Sequence, residues 1–334
     1  MPSTIIITGA NGSLATPAIK LLWSEYPEYT LVLTARNPDA VYSPTDLRNV
    51  SIRKLDLLDL SAVHAFATEI AAEIQAGKLP PLASIICNAY YWNLRSEPEA
   101  TEDGFEKTFQ ANHIAHAALV LRLLGQFGKK LGGRVVLLSS DAHWPGRNRM
   151  EKTRPVIPDD LEALVNTTPE GGKANCRARG FQRYASSKLA IAMWMYALNR
   201  HLESDLALNK ITAVAVNPGS LADSRALMVN TPLSLKIMSI LIVRPFLFLL
   251  RRFSDPTLRT CAEAAADLVD FATNTTAPGE RGYYTLSQKD VSSPDSLSEA
   301  KQEALWSKTI EWAGITSENT ALQINDLYTD IRQD

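Results

Sequence analysis

Cysteine is scarce in this chain: Cys87, Cys176 and Cys261 are the only three in 334 residues, and no two form a C-x-x-C pair. That spacing excludes a disulfide framework and a zinc knuckle, and it favours a reducing, intracellular setting. The five histidines lack metal-ligand spacing, His113 and His116 being a lone pair, so no metal is expected. An excess of either charge is also missing. Lys+Arg number 34 against 36 Asp+Glu, a net charge of -2. Nucleic acid is therefore excluded as a partner, because phosphate affinity needs clustered basic charge. Nor is there a long hydrophobic run. Residues 237–243 and 246–250 are apolar, but Arg244 and Pro245 part them, and together they fall short of the ~18–20 residues that span a bilayer. No basic stretch followed by an apolar one precedes Ile5, so no secretory signal is read and the native N-terminus is expected close to residue 1. What remains, at 46% hydrophobic and 21% charged residues, is one large globular domain, expected in the cytoplasm as a soluble enzyme or a small-molecule binder.

Strand-like and helix-like segments alternate along it. Residues 5–8, 30–34, 51–55, 83–87, 134–139 and 211–216 are short, β-branched and apolar on both faces, as doubly buried parallel strands are. Residues 13–23, 60–75, 102–127 and 184–202 carry helical periodicity. The alternation predicts right-handed βαβ units and a doubly wound, Rossmann-type α/β sheet in a single domain over 1–334. Residues 141–183 break the rhythm with proline, glycine and charge, and a loop of that length is functional or mobile. Residues 286–334 form a C-terminal extension.

Thr8-Gly9-Ala10-Asn11-Gly12-Ser13-Leu14-Ala15 follows the first strand and opens a helix. In that position Gly9 permits a tight turn, Gly12 lets a pyrophosphate approach the backbone, and the helix N-terminus supplies amide donors. The second strand ends Ala35-Arg36, where an enzyme for NAD would place a carboxylate against the ribose 2′-hydroxyl. Arg36 suits a 2′-phosphate instead, so NADP(H) is the expected cofactor. Asp56 and Leu57 follow the third strand, with the carboxylate placed for an adenine amino group. Asn88 and Ala89 close the fourth strand beside the cofactor path.

Tyr184 and Lys188 stand four residues apart where a helix is expected to open, which puts phenol and ammonium on one face. A nearby cation stabilises phenolate, and the expectation is a tyrosine pKa lowered by Lys188 and a nicotinamide cation together. Ser139-Ser140 ends the fifth strand, and Asn112 lies on the intervening helix.

With these motifs, and with Asn217-Pro218-Gly219, the sequence resembles the short-chain dehydrogenase/reductase superfamily, most of all its retinol-dehydrogenase-like and WW-domain-oxidoreductase-like branch and fungal reductases of that shape. The branch is carried by F109-Q-A-N112-H-I-A-H, S254-D-P before A262-E-A-A-A, G282-Y-Y-T as a last strand, and A304-L-W-S. The resemblance implies a tetrad. Tyr184 is the general acid or base, and Lys188 lowers its pKa and holds the nicotinamide ribose. Ser140 bonds the substrate oxygen, and Asn112 fixes a water. Gly9, Asn11, Gly12, Ser13, Leu14, Arg36, Asp56, Leu57, Asn88, Ala89, Pro218, Gly219 and Ser220 complete the implied cofactor site with Tyr184 and Lys188. There are departures: Ser13 and Tyr90 stand where the family usually has glycine, and Asp223 where threonine is common. The Ser140-to-Tyr184 stretch is longer than usual and is expected near the substrate mouth. His143 and Trp144 are candidates either for substrate contact or for loop packing.

Residues 225–255 are expected to form a lid. Their apolar part, 233–253, reads as a wall for a lipophilic ligand, as an interfacial helix on a membrane, or as packing against protein. The expected function is NADPH-dependent reduction of a lipophilic ketone or aldehyde, such as a sterol, retinoid or polyketide intermediate. Alcohol oxidation and a non-catalytic dinucleotide sensor are the alternatives. A homodimer built on the helices carrying Asn112 and Tyr184 is implied by the resemblance.

Overall fold

The computed structural model describes residues 2–42, 49–130, 132–169, 171–172 and 175–323. Positions 170, 173 and 174 of the inserted loop and positions 324–334 of the C-terminal extension lie outside them. In chain order the elements are β1 (Ser3–Thr8), α1 (Ala15–Glu25), β2 (Tyr29–Ala35), β3 (Val50–Lys54), α2 (Leu60–Gln75) and β4 (Leu82–Cys87). A short α3 (Lys107–Phe109) runs through a π-helical turn (Gln110–Ile114) into α4 (Ala115–Leu123). There follow β5 (Gly133–Leu138), α5 (Cys176–Ser204), β6 (Ile211–Asn217), α6 (Leu233–Met238), a second π-helical turn (Ser239–Val243) and α7 (Leu247–Phe253). The chain closes with α8 (Cys261–Ala272), β7 (Gly282–Thr285), β8 (Gln288–Lys289) and α9 (Glu299–Trp312).

The strands form one sheet in the order β3-β2-β1-β4-β5-β6-β7-β8. All neighbours are parallel except β7 and β8. The last strand is thus an antiparallel edge beyond Gly282–Thr285. Both faces are covered, and the alternation of side chains shows it. Ile6 packs with Val32 and Ile85 against α2, α4, α5 and α9, whereas Ile5 and Ile7 pack with Leu31 and Ile86 against α1 and α8. Each such isoleucine contributes about 2 kcal/mol relative to exposure. The chain winds outward from β1 to β3, then crosses back to β4. That reversal opens a crevice beyond the carboxyl ends of β1 and β4, where open α/β sheets take ligands.

Two helices differ from expectation. The periodicity over 102–127 resolves into α3, a π-helical turn and α4, with Asn112 at the centre of the turn. α5 spans 29 residues and starts at Cys176, so Tyr184 lies inside it and does not open it. The signal was hidden because 176–183 contains a glycine and three arginines. Gly180 is there for closeness: a Cβ on it would collide with the carbonyl of Asn93.

The inserted segment divides. Ile157, Leu161 and Val165 are buried with the main core on the helical flank, while Met150 joins the cluster around Tyr184. α9 lies along α5: Trp306 stacks on Trp194 and His201 at centroid distances of 6.1 Å and 4.2 Å, and Thr309 bonds His113 at 2.8 Å. The chain's own α9 therefore covers part of the helical face on which a second copy was expected.

Candidate active site

The loop after β1 is shaped by sterics. Gly9 has φ +65, and a Cβ there would stand 2.8 Å from the Cα of Ala89, so only glycine fits. Gly12 donates to the Gly9 carbonyl at 2.8 Å, and its own carbonyl accepts from Thr16. The Asn88 amide donates to the carbonyls of Thr8 and Gly9 at 2.9 Å and 3.1 Å and so ties β4 to the loop. α1 begins after Leu14 with no side-chain cap and no acid in its first turn. Its positive end is free for an anion. Leu14 and Leu57 are buried with their side chains in the two cores. Only their backbones can face a cofactor. Arg36 is exposed at the end of β2. Asp56 accepts from the Leu58 amide at 3.0 Å and remains partly exposed.

Beneath the loop lies a buried chain of hydrogen bonds that sequence reading missed. His116 places Nδ1 3.1 Å from the Asn112 carbonyl and Nε2 2.9 Å from the Thr8 hydroxyl. A carbonyl only accepts, so Nδ1 carries the proton; burial lowers the pKa to about 4 and keeps the ring neutral. Nε2 then accepts from the Thr8 hydroxyl. That hydroxyl in turn accepts from the Asn88 and Ala89 amides at 3.0 Å and 3.1 Å. One neutral histidine thus couples the π-helical turn to the phosphate loop.

Asn112 is fully buried. Its amide oxygen accepts from the Tyr91 N–H at 2.7 Å, and its NH2 donates to the Tyr91 carbonyl and the Ser187 hydroxyl at 3.1 Å and 2.9 Å. Both N–H donors of its side chain are thus engaged by protein. Lys188, on the helix beside it, donates to the Leu138 carbonyl at 2.6 Å. Burial lowers its pKa to about 7, with Cys87 acting in the opposite direction.

Tyr184 stands in an aromatic cage. Trp92, Phe181 and Tyr90 surround it at ring-centroid distances of 5.3 Å, 6.1 Å and 6.2 Å. Burial raises the phenol pKa above its ordinary value, Tyr90 adds to the rise, and the Ser140 hydroxyl partly offsets it. This corrects the share of the expected lowering assigned to Lys188, which sits 5.6 Å from the ring centroid and turns its ammonium to Leu138. Ser140 donates to the Asp141 carboxylate at 3.0 Å and accepts from the Ala142 amide at 3.2 Å, which orients its hydroxyl.

His143 is not a substrate contact. It is buried, with Nδ1 2.6 Å from the Ser140 carbonyl and Nε2 accepting from the Ser293 amide at 2.9 Å. It fastens the Ser140 backbone to the C-terminal extension. Trp144 carries the Arg147 guanidinium over its ring at 3.4 Å from the centroid.

The Pro218-Gly219 turn follows β6. Gly219 has φ +80, and a Cβ there would meet the Thr257 carbonyl. The Arg259 guanidinium holds the Pro218 carbonyl at 2.7 Å and pairs with Asp267 at 2.6 Å, and its backbone N–H bonds the Ser220 carbonyl. Asp223 accepts from the Cys261 amide at 2.7 Å, at the start of α8. Arg225, also unforeseen, donates from its guanidinium to the Asn11 carbonyl and from its backbone to the Ser13 hydroxyl. The lid's root is thereby tied to the phosphate loop.

The chain is similar to known proteins. Residues 225–322 match the family model described as the AcuH dehydrogenase domain. The short-chain dehydrogenase iccH of Talaromyces variabilis is 27% identical, covering 96% of this chain and 98% of its own. The polyprenol dehydrogenase of Danio rerio is 30% identical, over 80% of this chain and 71% of its own. The chain belongs to the short-chain dehydrogenase/reductase superfamily. Within that superfamily it falls in the branch of the retinol dehydrogenases and their fungal relatives. Its fold is similar to that of an NADPH-bound carbonyl reductase from chicken fatty liver, with a TM-score of 0.54 and 16% identity over 87% of this chain and 99% of that one. A short-chain dehydrogenase/reductase is an oxidoreductase with a nicotinamide dinucleotide, and the glycine cradle and uncapped α1 described above fit that group.

Proposed function

We propose that this short-chain dehydrogenase/reductase uses NADPH to reduce a lipophilic ketone or aldehyde, with Tyr184 as the general acid. The observation that carries the reading is the place of the phenol. It stands among Trp92, Phe181, Ala185 and Leu235 in an apolar cluster separate from the two cores, and burial keeps its proton on at neutral pH. A protonated acid in an apolar pocket suits a carbonyl oxygen that gains negative charge as it is reduced. Ser140 would bond that oxygen beside Tyr184 by turning its single hydroxyl proton from Asp141 to the substrate.

NADPH, when bound, supplies the hydride. Gly9, Asn11, Gly12, Ser13 and the start of α1 would hold its pyrophosphate, with Arg225 above them. Arg36 would meet the 2′-phosphate. Asp56 and Asn88–Ala89 would line the adenosine side, Pro218, Gly219 and Ser220 the nicotinamide side. Lys188, at a pKa of about 7, would hold the ribose and pass a proton towards Tyr184. The polyprenol acted on by one relative, and the retinol of others, support a lipophilic substrate.

Consumption of NADPH and of NADH with a panel of hydrophobic and hydrophilic carbonyls tests the proposal. Turnover is expected with NADPH and the hydrophobic members. Turnover confined to small polar carbonyls, or to NADH, would overturn it.

A further inference from the structure

The helix pair over the active site is amphipathic in the inverse sense. Along α6 and its π-helical turn, Leu233, Ile237, Ile240 and Leu241 follow the spacing of one helical stripe, and they are 70%, 47%, 50% and 63% exposed. The opposite side carries Leu235 and Ser239, both buried. Beyond Pro245 the stripe continues through Phe246, Phe248, Leu249 and Phe253, of which Phe248 and Phe253 are 77% and 79% exposed. An apolar patch of this size on a protein surface marks a partner.

Its chemistry can be read from the charges. Between Asp223 and Asp255 there is no acidic residue, while Arg225, Lys236, Arg244, Arg251 and Arg252 are all basic. Arg251 is paired with Glu263 at 2.7 Å, and Arg225 is engaged at the phosphate loop. Lys236, Arg244 and Arg252 border the apolar stripe. A second copy docked face to face would bring these cations against their own counterparts. An anionic headgroup layer would instead neutralise them while the apolar side chains enter the acyl boundary. A membrane span is not an alternative. The pair bends by 90°, and arms of 11 and 7 residues reach about 16 Å and about 10 Å against a hydrocarbon core of about 30 Å.

We infer that the α6–α7 pair is a docking surface for an anionic lipid bilayer, on which it lies in the interfacial plane. The inner side of the same pair reaches the catalytic cluster: Leu235 is part of it and Met238 packs against it, together with Tyr184. A substrate dissolved in the bilayer would thus have one helix layer between it and the phenol. That last step rests on the proposed reductase reading; the docking itself does not.

The test is flotation of the full chain with phosphatidylcholine vesicles and with vesicles in which about a third of the lipid is phosphatidylserine. The protein is expected to float with the anionic vesicles and to be released by high salt. Lys236→Glu with Arg252→Glu should weaken partitioning by about fivefold or more per cation. Leu241→Asp with Phe248→Asp should weaken it at least tenfold, with NADPH binding unchanged as the sign of an intact fold. Failure to float with either vesicle would overturn the inference, as would a dimer in sedimentation that dissolves in Leu241→Asp while no vesicle binding is seen. NADPH titration and vesicle flotation are separate readouts, so the reductase reading and the docking can fail independently.

Discussion

The phosphate loop and the lid treat their surroundings in opposite ways. In the loop, the framework is fixed inside the chain and only the start of α1 is left for a ligand: Gly9 is wedged against Ala89, Asn88 braces two carbonyls, and Thr8 is fixed by His116. In the lid, the helices turn nine large apolar side chains outward and use their inner side to roof Tyr184. A ligand that is the same for a whole superfamily can be met by a preformed backbone. A surface left apolar and basic has its complement outside the chain. Arg225 joins the two regions, since it belongs to the lid and bonds the loop.

Substitutions can break or sharpen that contrast. The largest effect is expected beneath the lid: Tyr184→Phe should lower kcat by about 10²–10⁴, with NADPH affinity little changed, in paired turnover and fluorescence titrations. Gly9→Ala, which forces a Cβ to 2.8 Å from Ala89 in a left-handed conformation, should cost about 1–3 kcal/mol in urea denaturation and weaken NADPH binding with it. Arg36→Ala should lower the preference for NADPH over NADH about tenfold, as the ratio of the two kcat/KM values.

Lys188 gives a pH effect of known sign. Its pKa in the folded chain is about 7, so its charge is present below that pH and lost above it. The cofactor is anionic, and NADPH affinity should therefore fall severalfold between about pH 7 and pH 8, by no more than tenfold per unit. The smallest effect belongs to the lid. Phe248→Ser should change folding stability by less than about 0.5 kcal/mol, because Phe248 is 77% exposed. A large loss there would mean that the side chain is packed, and the contrast with Gly9 would disappear.

What could be read from the sequence was local. The glycine loop, the strands on both sides of it and the Tyr184–Lys188 spacing each lie within a few residues, and short-range sterics and periodicity suffice for them. What escaped reading depends on contacts between distant positions. The Thr8–His116–Asn112 chain joins β1 to a helix turn more than a hundred residues away, and no spacing rule reports it. Trp92 and Phe181 close on Tyr184 only because Gly180 lets the loop after β4 press on α5. Lys188, four residues away, was expected to share with a nicotinamide cation in lowering the tyrosine's pKa. The opposite direction follows from burial, together with an ammonium turned towards Leu138. His143, read as a substrate contact or a packing residue, is a brace because Ser293 reaches it from the C-terminal extension.

The reaction proposed for this chain is hydride transfer from NADPH to a lipophilic carbonyl, with Tyr184 giving the proton. NADPH carrying deuterium at the transferable position, incubated with the enzyme and a hydrophobic ketone, tests it directly by mass spectrometry of the product. The expected product is an alcohol that carries one deuterium, formed by the native chain and nearly absent with Tyr184→Phe. An alcohol without the label, or labelled alcohol formed at the native rate by Tyr184→Phe, would contradict it.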